Sequence, residues 1–257
     1  MAASARSQIA CQLYTLRDLC KTPADIASTL KKVKEIGYDA VQVSGIGKIE
    51  PTELKTILDG EGLTCCATHT NLERMRNDAR GLIDEHKLLG CTYTALGYHN
   101  VTGAKEWTEF AKDFSGLAAT LKAGGVELGY HNHSNEFARY DGRTAMQLLL
   151  DECGKDVWFE IDTYWVAHGG GDPIQWINKV AGRIPCVHFK DLGIGGSDRK
   201  QVMKEVGEGN LNWPGIIDAC RKSGVQWFIV EQDNCNGRNP LDSIAQSLRN
   251  LRSLGVH

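Results

Sequence analysis

The sequence has no apolar run approaching the roughly 18 residues that a membrane span needs, so no transmembrane helix is expected. Its opening, "MAASARSQIA", has no apolar core of the kind a secretory signal carries. Basic residues are not in excess. Lys and Arg number 29 against 32 Asp and Glu, and a net charge of −3 leaves no electrostatic footprint for nucleic acid or an anionic membrane. There is no CxxC, and the nine cysteines are odd in number. Four of them, Cys65, Cys66, Cys91 and Cys186, fall inside apolar runs. That placement argues against a disulfide framework and for reduced, buried thiols in a cytoplasmic protein. No GxGxxG follows a strand-like run and no GxxxxGK[ST] occurs, so the phosphate-cradling loops of open nucleotide-binding sheets are missing. With no repeat, biased tract or linker, residues 1–257 read as one domain.

What is present is alternation. Eight apolar, strand-like runs are each followed by a segment of helical period. After the first run, Gln8 to Tyr14, Thr22 suits an N-cap, Pro23 the first helical position and Gly37 the residue past the end. Between them Ile26, Leu30, Val33 and Ile36 recur on one face. Later helices are marked by Leu82, Ile83 and Leu89, by Trp107, Phe110, Phe114 and Leu117, and by Leu241, Ile244, Leu248 and Leu251. Strands alternating with helices imply parallel pairing, and eight such units in a chain of this length favour a closed (β/α)8 barrel over an open sheet. His86 lies in a helical segment and is expected at the surface. The stretch from Asp191 to Asn212 shows no period and is expected to be an irregular, lid-like segment.

Four of the runs end in residues that bind metals. They are "VELGYHNH" with His131, "VWFEID" with Asp162, "IPCVHFKD" with His188, and "WFIVEQD" with Glu231. In a parallel barrel every strand C-terminus opens on the same face, whatever the distance in sequence. Two imidazoles and two carboxylates meeting there suit one divalent ion such as Mn²⁺, Co²⁺, Zn²⁺ or Mg²⁺. A single Asp or His at a strand end is more often a cap or a loop residue. Four at the ends of four consecutive strands are not easily explained that way. Glu136, His133 and Lys190 lie near enough in sequence to act as acid, base or support for the ligands. His69 and His99 end strands three and four and are candidates for substrate contact, as is Trp165 for a pocket wall.

The motifs "QLYTLRD", "GYDAVQ", "YHNHSNEF", "EIDTYW", "VHFKD", "VGEGNLNWPGI" and "IVEQD" together resemble the xylose-isomerase-like TIM barrel superfamily, in its sugar phosphate isomerase/epimerase branch. The resemblance covers nearly the whole chain. It implies a metal-dependent isomerase or epimerase acting on a sugar or sugar derivative by moving a proton beside a carbonyl. In relatives such as ketose 3-epimerases one metal is held by Glu, Asp, His and Glu from strands five to eight. Asp162, His188 and Glu231 match the last three. His131 stands where those enzymes have the first Glu, and Glu136, five residues on, is the alternative fourth ligand. Those epimerases use both metal-bound glutamates as an acid/base pair, and only Glu231 matches here. Inosose dehydratase and other lyase-like branches carry His-x-His at this place, so a dehydratase or lyase on a keto sugar or keto-cyclitol is the alternative. Either reading expects a small-molecule carbohydrate substrate, and homo-oligomerisation stays open. Abasic-site endonucleases share the superfamily, but the acidic charge and the lack of further His and Glu ligands exclude nucleic acid as a partner. A metal-free carbohydrate-binding barrel is the remaining class, since fold alone does not imply activity.

Overall fold

The computed structural model describes residues 8–256; the opening segment through residue 7 and His257 lie outside the described residues. Eight parallel strands close into a ring: β1 (Gln8–Gln12), β2 (Ala40–Val43), β3 (Thr64–His69), β4 (Tyr93–Leu96), β5 (Glu127–His131), β6 (Trp158–Asp162), β7 (Cys186–Phe189) and β8 (Trp227–Val230). Each pairs with its sequence neighbour, and β1 pairs β8, with Ile9 opposite Phe228, to shut the barrel. The helices that follow are α1 (Pro23–Ile36), α2 (Pro51–Glu61), α3 (Ala79–Leu89), α4 (Ala104–Ala123), α5 (Ala145–Glu152), α6 (Pro173–Lys179), α7 (Trp213–Ser223) and α8 (Pro240–Ser253). No helix among the described residues is long and apolar enough to cross a membrane.

Helix ends follow the local chemistry read from the sequence. Thr22 forms a reciprocal capping box with Asp25, Pro23 opens α1, and Gly37 closes it with a left-handed φ of 113°. β1 is shorter than its apolar run because Leu13–Leu19 coils into a 3₁₀ turn capped by the Gln12 side chain. His86 is buried rather than exposed. Its Nδ1 is 2.8 Å from Leu82 O and its Nε2 2.9 Å from Thr68 Oγ1, so its polar edges are satisfied against β3. All nine cysteines are free, and only Cys235 is not buried.

Period-two alternation divides the strand side chains between two cores. On β6, Phe159 and Ile161 face the helices, in the apolar layer outside the barrel. Trp158 faces inward with Ala10, Ala40, Cys66, Ala67, Ala95, Cys186 and Ile229. All of these neighbours but Ile229 are small and leave room for the indole, whose Nε1 donates to Glu127 O at 3.0 Å. On β5 only glycine fits beside it, because a Cβ on Gly129 would meet the indole at 2.3 Å. Gly129→Ala is therefore expected to cost about 2 kcal/mol through overpacking and to lower Tm by roughly 4–8 °C in thermal unfolding. An unchanged Tm would mean that the indole has somewhere to retreat.

The stretch beyond β7 is ordered, which corrects the expectation of an irregular segment. Asp191–Gly195 and Lys200–Lys204 form an antiparallel hairpin. The chain then folds back over the buried Asp191 carboxylate. Its Oδ1 accepts from Leu192 N (2.8 Å) and Leu211 N (3.3 Å), and its Oδ2 from Gly207 N (2.9 Å), Gly209 N (3.0 Å) and Trp213 Nε1 (2.6 Å). Gly209 passes so close that a Cβ would lie 2.3 Å from the carboxylate. One side chain thus ties "VGEGNLNW" to the segment just beyond β7.

Candidate metal centre and cleft

The strand ends bring His131, Asp162, His188 and Glu231 together. Asp162 pairs with His188 in the β6–β7 register, and Glu231 follows the last residue of β8. Each of the four offers one ligand atom, and those atoms all lie within 4.8 Å of one another. All four side chains are buried. Asp162 also N-caps the short helix Thr163–His168, with Oδ1 accepting from Trp165 N at 2.9 Å, which turns Oδ2 toward the group. His131 Nε2 lies 3.3 Å from that Oδ2, while its Nδ1–H donates to Gly97 O at 3.1 Å.

The donor set fits a divalent cation. Two imidazole nitrogens and two carboxylate oxygens suit a first-row divalent metal or Mg²⁺. His188 Nδ1 and Glu231 Oε2 are 2.8 Å apart, yet neither makes an aligned hydrogen bond. Their directional valences are left free, as those of ligands to an ion would be. Four buried or half-buried carboxylates, Glu160, Asp162, Glu231 and Asp233, crowd the same few ångströms. Such crowding is tolerable only with positive charge among them.

Lys190 supplies part of that charge. Its Nζ lies 3.0 Å from Asp162 Oδ2, 2.8 Å from Glu231 Oε2 and 2.9 Å from Asp233 Oδ1. Burial pushes the Asp162 carboxyl upward, but the Lys190 ammonium and the facing imidazoles outweigh it and hold it well below the usual carboxylate range. Glu231 is lowered in the same way: burial opposes, and Lys190 and His188 prevail. Lys190 itself is desolvated, yet Asp162, Glu231 and Asp233 hold it well above the ordinary lysine value. Its backbone is strapped to the short helix after β6 by Thr163, whose hydroxyl donates to Lys190 O at 2.8 Å and accepts from Lys190 N at 3.0 Å.

Above the cluster opens a cavity of about 660 Å³. His69, His131, His133, Trp165, Lys190 and Glu231 line its depth, and Tyr14, Leu72 and Tyr98 line its outer part. Burial, with His131 and Lys190 nearby, pulls His133 down to about 3, so its ring is neutral. The structure does not bring Glu136 to the cluster. Its oxygens accept from Tyr130 Oη (2.7 Å) and His133 N (2.8 Å), away from the four ligand atoms, because the 3₁₀ turn Asn135–Phe137 folds it back under β5. The fourth place in the group is taken by His131. His99 also stands apart from the cavity, stacked on Phe110 at 3.8 Å.

Sequence reasoning passed over residues that the barrel interior gathers beneath the cluster. Glu160 is fully buried, with Oε2 2.6 Å from His69 Nε2 and Oε1 accepting from Gln42 Nε2 at 2.8 Å. Gln42 in turn accepts from Gln12 Nε2 at 2.8 Å. The signal for Glu160 was available: two residues before Asp162 on a strand, it must share Asp162's face.

Comparison with known proteins follows the same lines. A family model described as "Xylose isomerase-like TIM barrel" matches residues 30–254. Among curated proteins, the rhizopine catabolism protein MocC of Rhizobium meliloti is 25% identical over 264 residues, covering 88% of this chain and 81% of that one. Inosose dehydratase of Mesomycoplasma hyopneumoniae (strain 7448) is 26% identical over 172 residues, 58% of this chain and 55% of that enzyme. The match thus spans little more than half the length of that relative. Among solved structures, a sugar phosphate isomerase/epimerase of Parabacteroides distasonis superposes with a TM-score of 0.81 at 24% identity, over 96% of this chain and 98% of that chain.

Proposed function

Because the chain belongs to the xylose isomerase-like TIM barrel family, we propose that it is a metal-dependent enzyme that removes the proton beside a carbonyl of a keto sugar or keto-cyclitol. The observation that carries this reading is the convergence of His131, Asp162, His188 and Glu231 at the floor of the cavity. These four would hold one divalent ion. When bound, it polarises the substrate carbonyl and offsets charge developing on oxygen, worth several kcal/mol in the transition state.

The remaining work falls to side chains. Glu231 faces the cavity as a carboxylate and takes the proton. The Lys190 ammonium, 2.8 Å from Glu231 Oε2, donates to the oxygen where charge accumulates and keeps Glu231 ionised. His69 and Trp165 orient the substrate ring from the walls, and the buried floor excludes bulk water.

The fate of the enolate depends on what lies opposite Glu231. A two-base epimerase needs a second proton-transfer group there. The β5 position is filled by His131, with one nitrogen on Gly97 O and the other facing Asp162, and Glu136 is turned away. With one acid/base group on one face, the proton that Glu231 has taken passes to the β-hydroxyl, whose C–O bond breaks as the enolate collapses and water leaves, so a dehydratase or lyase outcome fits best. The inosose dehydratases among the relatives support it. The second reading is a sugar isomerase. It is favoured by the adjacency of Glu231 and Lys190, which lets one face carry a proton from one carbon to the next.

The test is a panel of keto-cyclitols and keto sugars incubated with Mn²⁺-loaded protein in D₂O. Loss of water with an enone chromophore is expected; solvent deuterium in a product isomer would select the second reading. Neither water loss nor exchange on any member would reject both. Dialysis against a chelator is expected to lower turnover by at least about 100-fold, with Mn²⁺ restoring it. Full activity in stripped protein would remove the metal from the reaction.

A further inference from the structure

Beneath the four converging ligand atoms runs a chain of buried polar side chains that crosses the barrel. Gln12 on β1, Gln42 on β2, Glu160 on β6 and His188 on β7 are each fully buried, and His69 on β3 joins from the cavity side. The interior of a small barrel ordinarily fills with apolar side chains. A polar layer persists there only if its members satisfy one another.

The distances fix who donates. A carboxylate only accepts, so the Gln42 atom 2.8 Å from Glu160 Oε1 is the amide nitrogen. The Gln42 oxygen therefore faces the other way, toward Gln12 Nε2 at 2.8 Å and His188 Nε2 at 2.6 Å. A carbonyl oxygen only accepts as well, so His188 Nε2 carries a hydrogen. Its second acceptor is Glu160 Oε1 at 3.3 Å. By the same rule His69 Nε2, 2.6 Å from Glu160 Oε2, is an N–H. At the outer end, Gln12 Oε1 accepts from Tyr14 N at 3.3 Å, which ties a cavity-lining residue into the layer.

We propose that Glu160, acting with Gln42 and Gln12, is a positioning unit that locks His188 with its Nε2–H down the barrel and its Nδ1 lone pair toward the ion, and His69 with its Nε2–H on Glu160 and its Nδ1 beside Ser44 Oγ at 3.4 Å, at the cavity wall. This rests on the metal-dependent reading above. The geometry agrees with it on both sides of the His188 ring. Nδ1 faces Glu231 Oε2 at 2.8 Å and Asp162 Oδ2 at 3.8 Å, while Nε2 faces only the polar layer. Glu160 spends its oxygens on Gln42, His69 and His188, and so acts through two imidazoles. His69, Glu160 and His188 also bring ligand-type atoms within 4.8 Å of one another. Each of the three is already engaged in a short polar contact within the layer, so we read this group as the support of the first and not as a second metal site.

The experiment uses the full chain, ¹⁵N-labelled and loaded with Zn²⁺ as a diamagnetic probe, with metal affinity followed by calorimetry using Mn²⁺. Long-range ¹H–¹⁵N spectra of the wild type are expected to show His188 and His69 protonated at Nε2. Glu160→Gln is expected to weaken Mn²⁺ binding by about tenfold and Glu160→Leu by up to about 100-fold, both with loss of the single His69 tautomer. Gln42→Leu is expected to weaken Mn²⁺ binding about tenfold while leaving His69 unchanged, and it serves if the Glu160 variants fail to fold. Affinities within twofold of wild type with unchanged tautomers would overturn the proposal, as would two ions per wild-type chain. A wild type that takes up no ion overturns this unit and the functional reading together. Uptake that the variants weaken, without turnover of any keto substrate, removes the reaction and leaves the positioning unit standing.

Discussion

Glu231→Gln is expected to lower kcat/KM by roughly 10³-fold at saturating Mn²⁺, because general-base catalysis of this kind contributes about 10²–10⁴. The amide keeps the shape of the carboxylate but removes the base, the anionic ligand and the partner of both His188 and Lys190. Steady-state kinetics over a Mn²⁺ titration separates these losses. Restored occupancy without restored rate assigns the effect to proton transfer. The contrast is Glu136→Gln. Glu136 holds Tyr130 Oη and His133 N away from the cavity, so its amide is expected to retain activity within a few fold. If the two variants fell equally, Glu136 would have to reach the reacting carbon, and the assignment of Glu231 as the base would fail.

The second large effect concerns stability. Asp191→Ala strands five N–H donors that now share one buried carboxylate. Removing one partner of a buried charged network costs about 3–5 kcal/mol, and Tm should fall by roughly 6–20 °C. Asp191→Asn keeps one accepting oxygen but turns an NH₂ toward Gly207, Gly209 and Trp213 or toward Leu192 and Leu211. It should lie between wild type and Ala in thermal unfolding. A Tm within 2 °C of wild type for Ala would show that the segment from Val206 to Trp213 is held by its apolar contacts and not by this carboxylate.

The barrel was legible because its signals are local and repeat. Thr22, Pro23 and Gly37 bound a helix by chemistry that needs no tertiary partner, and eight apolar runs count the strands. The metal group was legible because a parallel ring places every strand end on one mouth, so Asp162, His188 and Glu231 needed no distance information to be grouped. The layer beneath was not read, although Gln12, Gln42 and Glu160 sit inside quoted motifs. A polar residue within an apolar strand reveals its face by period but not the partner across the barrel, and Gln42 reaches Glu160 over more than a hundred positions. Asp191 failed for a related reason. Its donors lie up to 22 residues downstream, beyond a hairpin and in a segment with no period to announce them. His86 was misjudged although Leu82 and Leu89, one turn to either side, share its helix face.

The ring closes by pairing its first strand with its last, Ile9 against Phe228. During synthesis at about 5–20 residues per second, β1 emerges and then waits on the order of 10–45 s for the edge that will receive it. Through that interval β1, paired to β2 on one side, presents its other edge unpaired and open to capture by a neighbouring copy. Any truncation that removes β8 would make the waiting permanent, turning a transient liability into an aggregation-prone product.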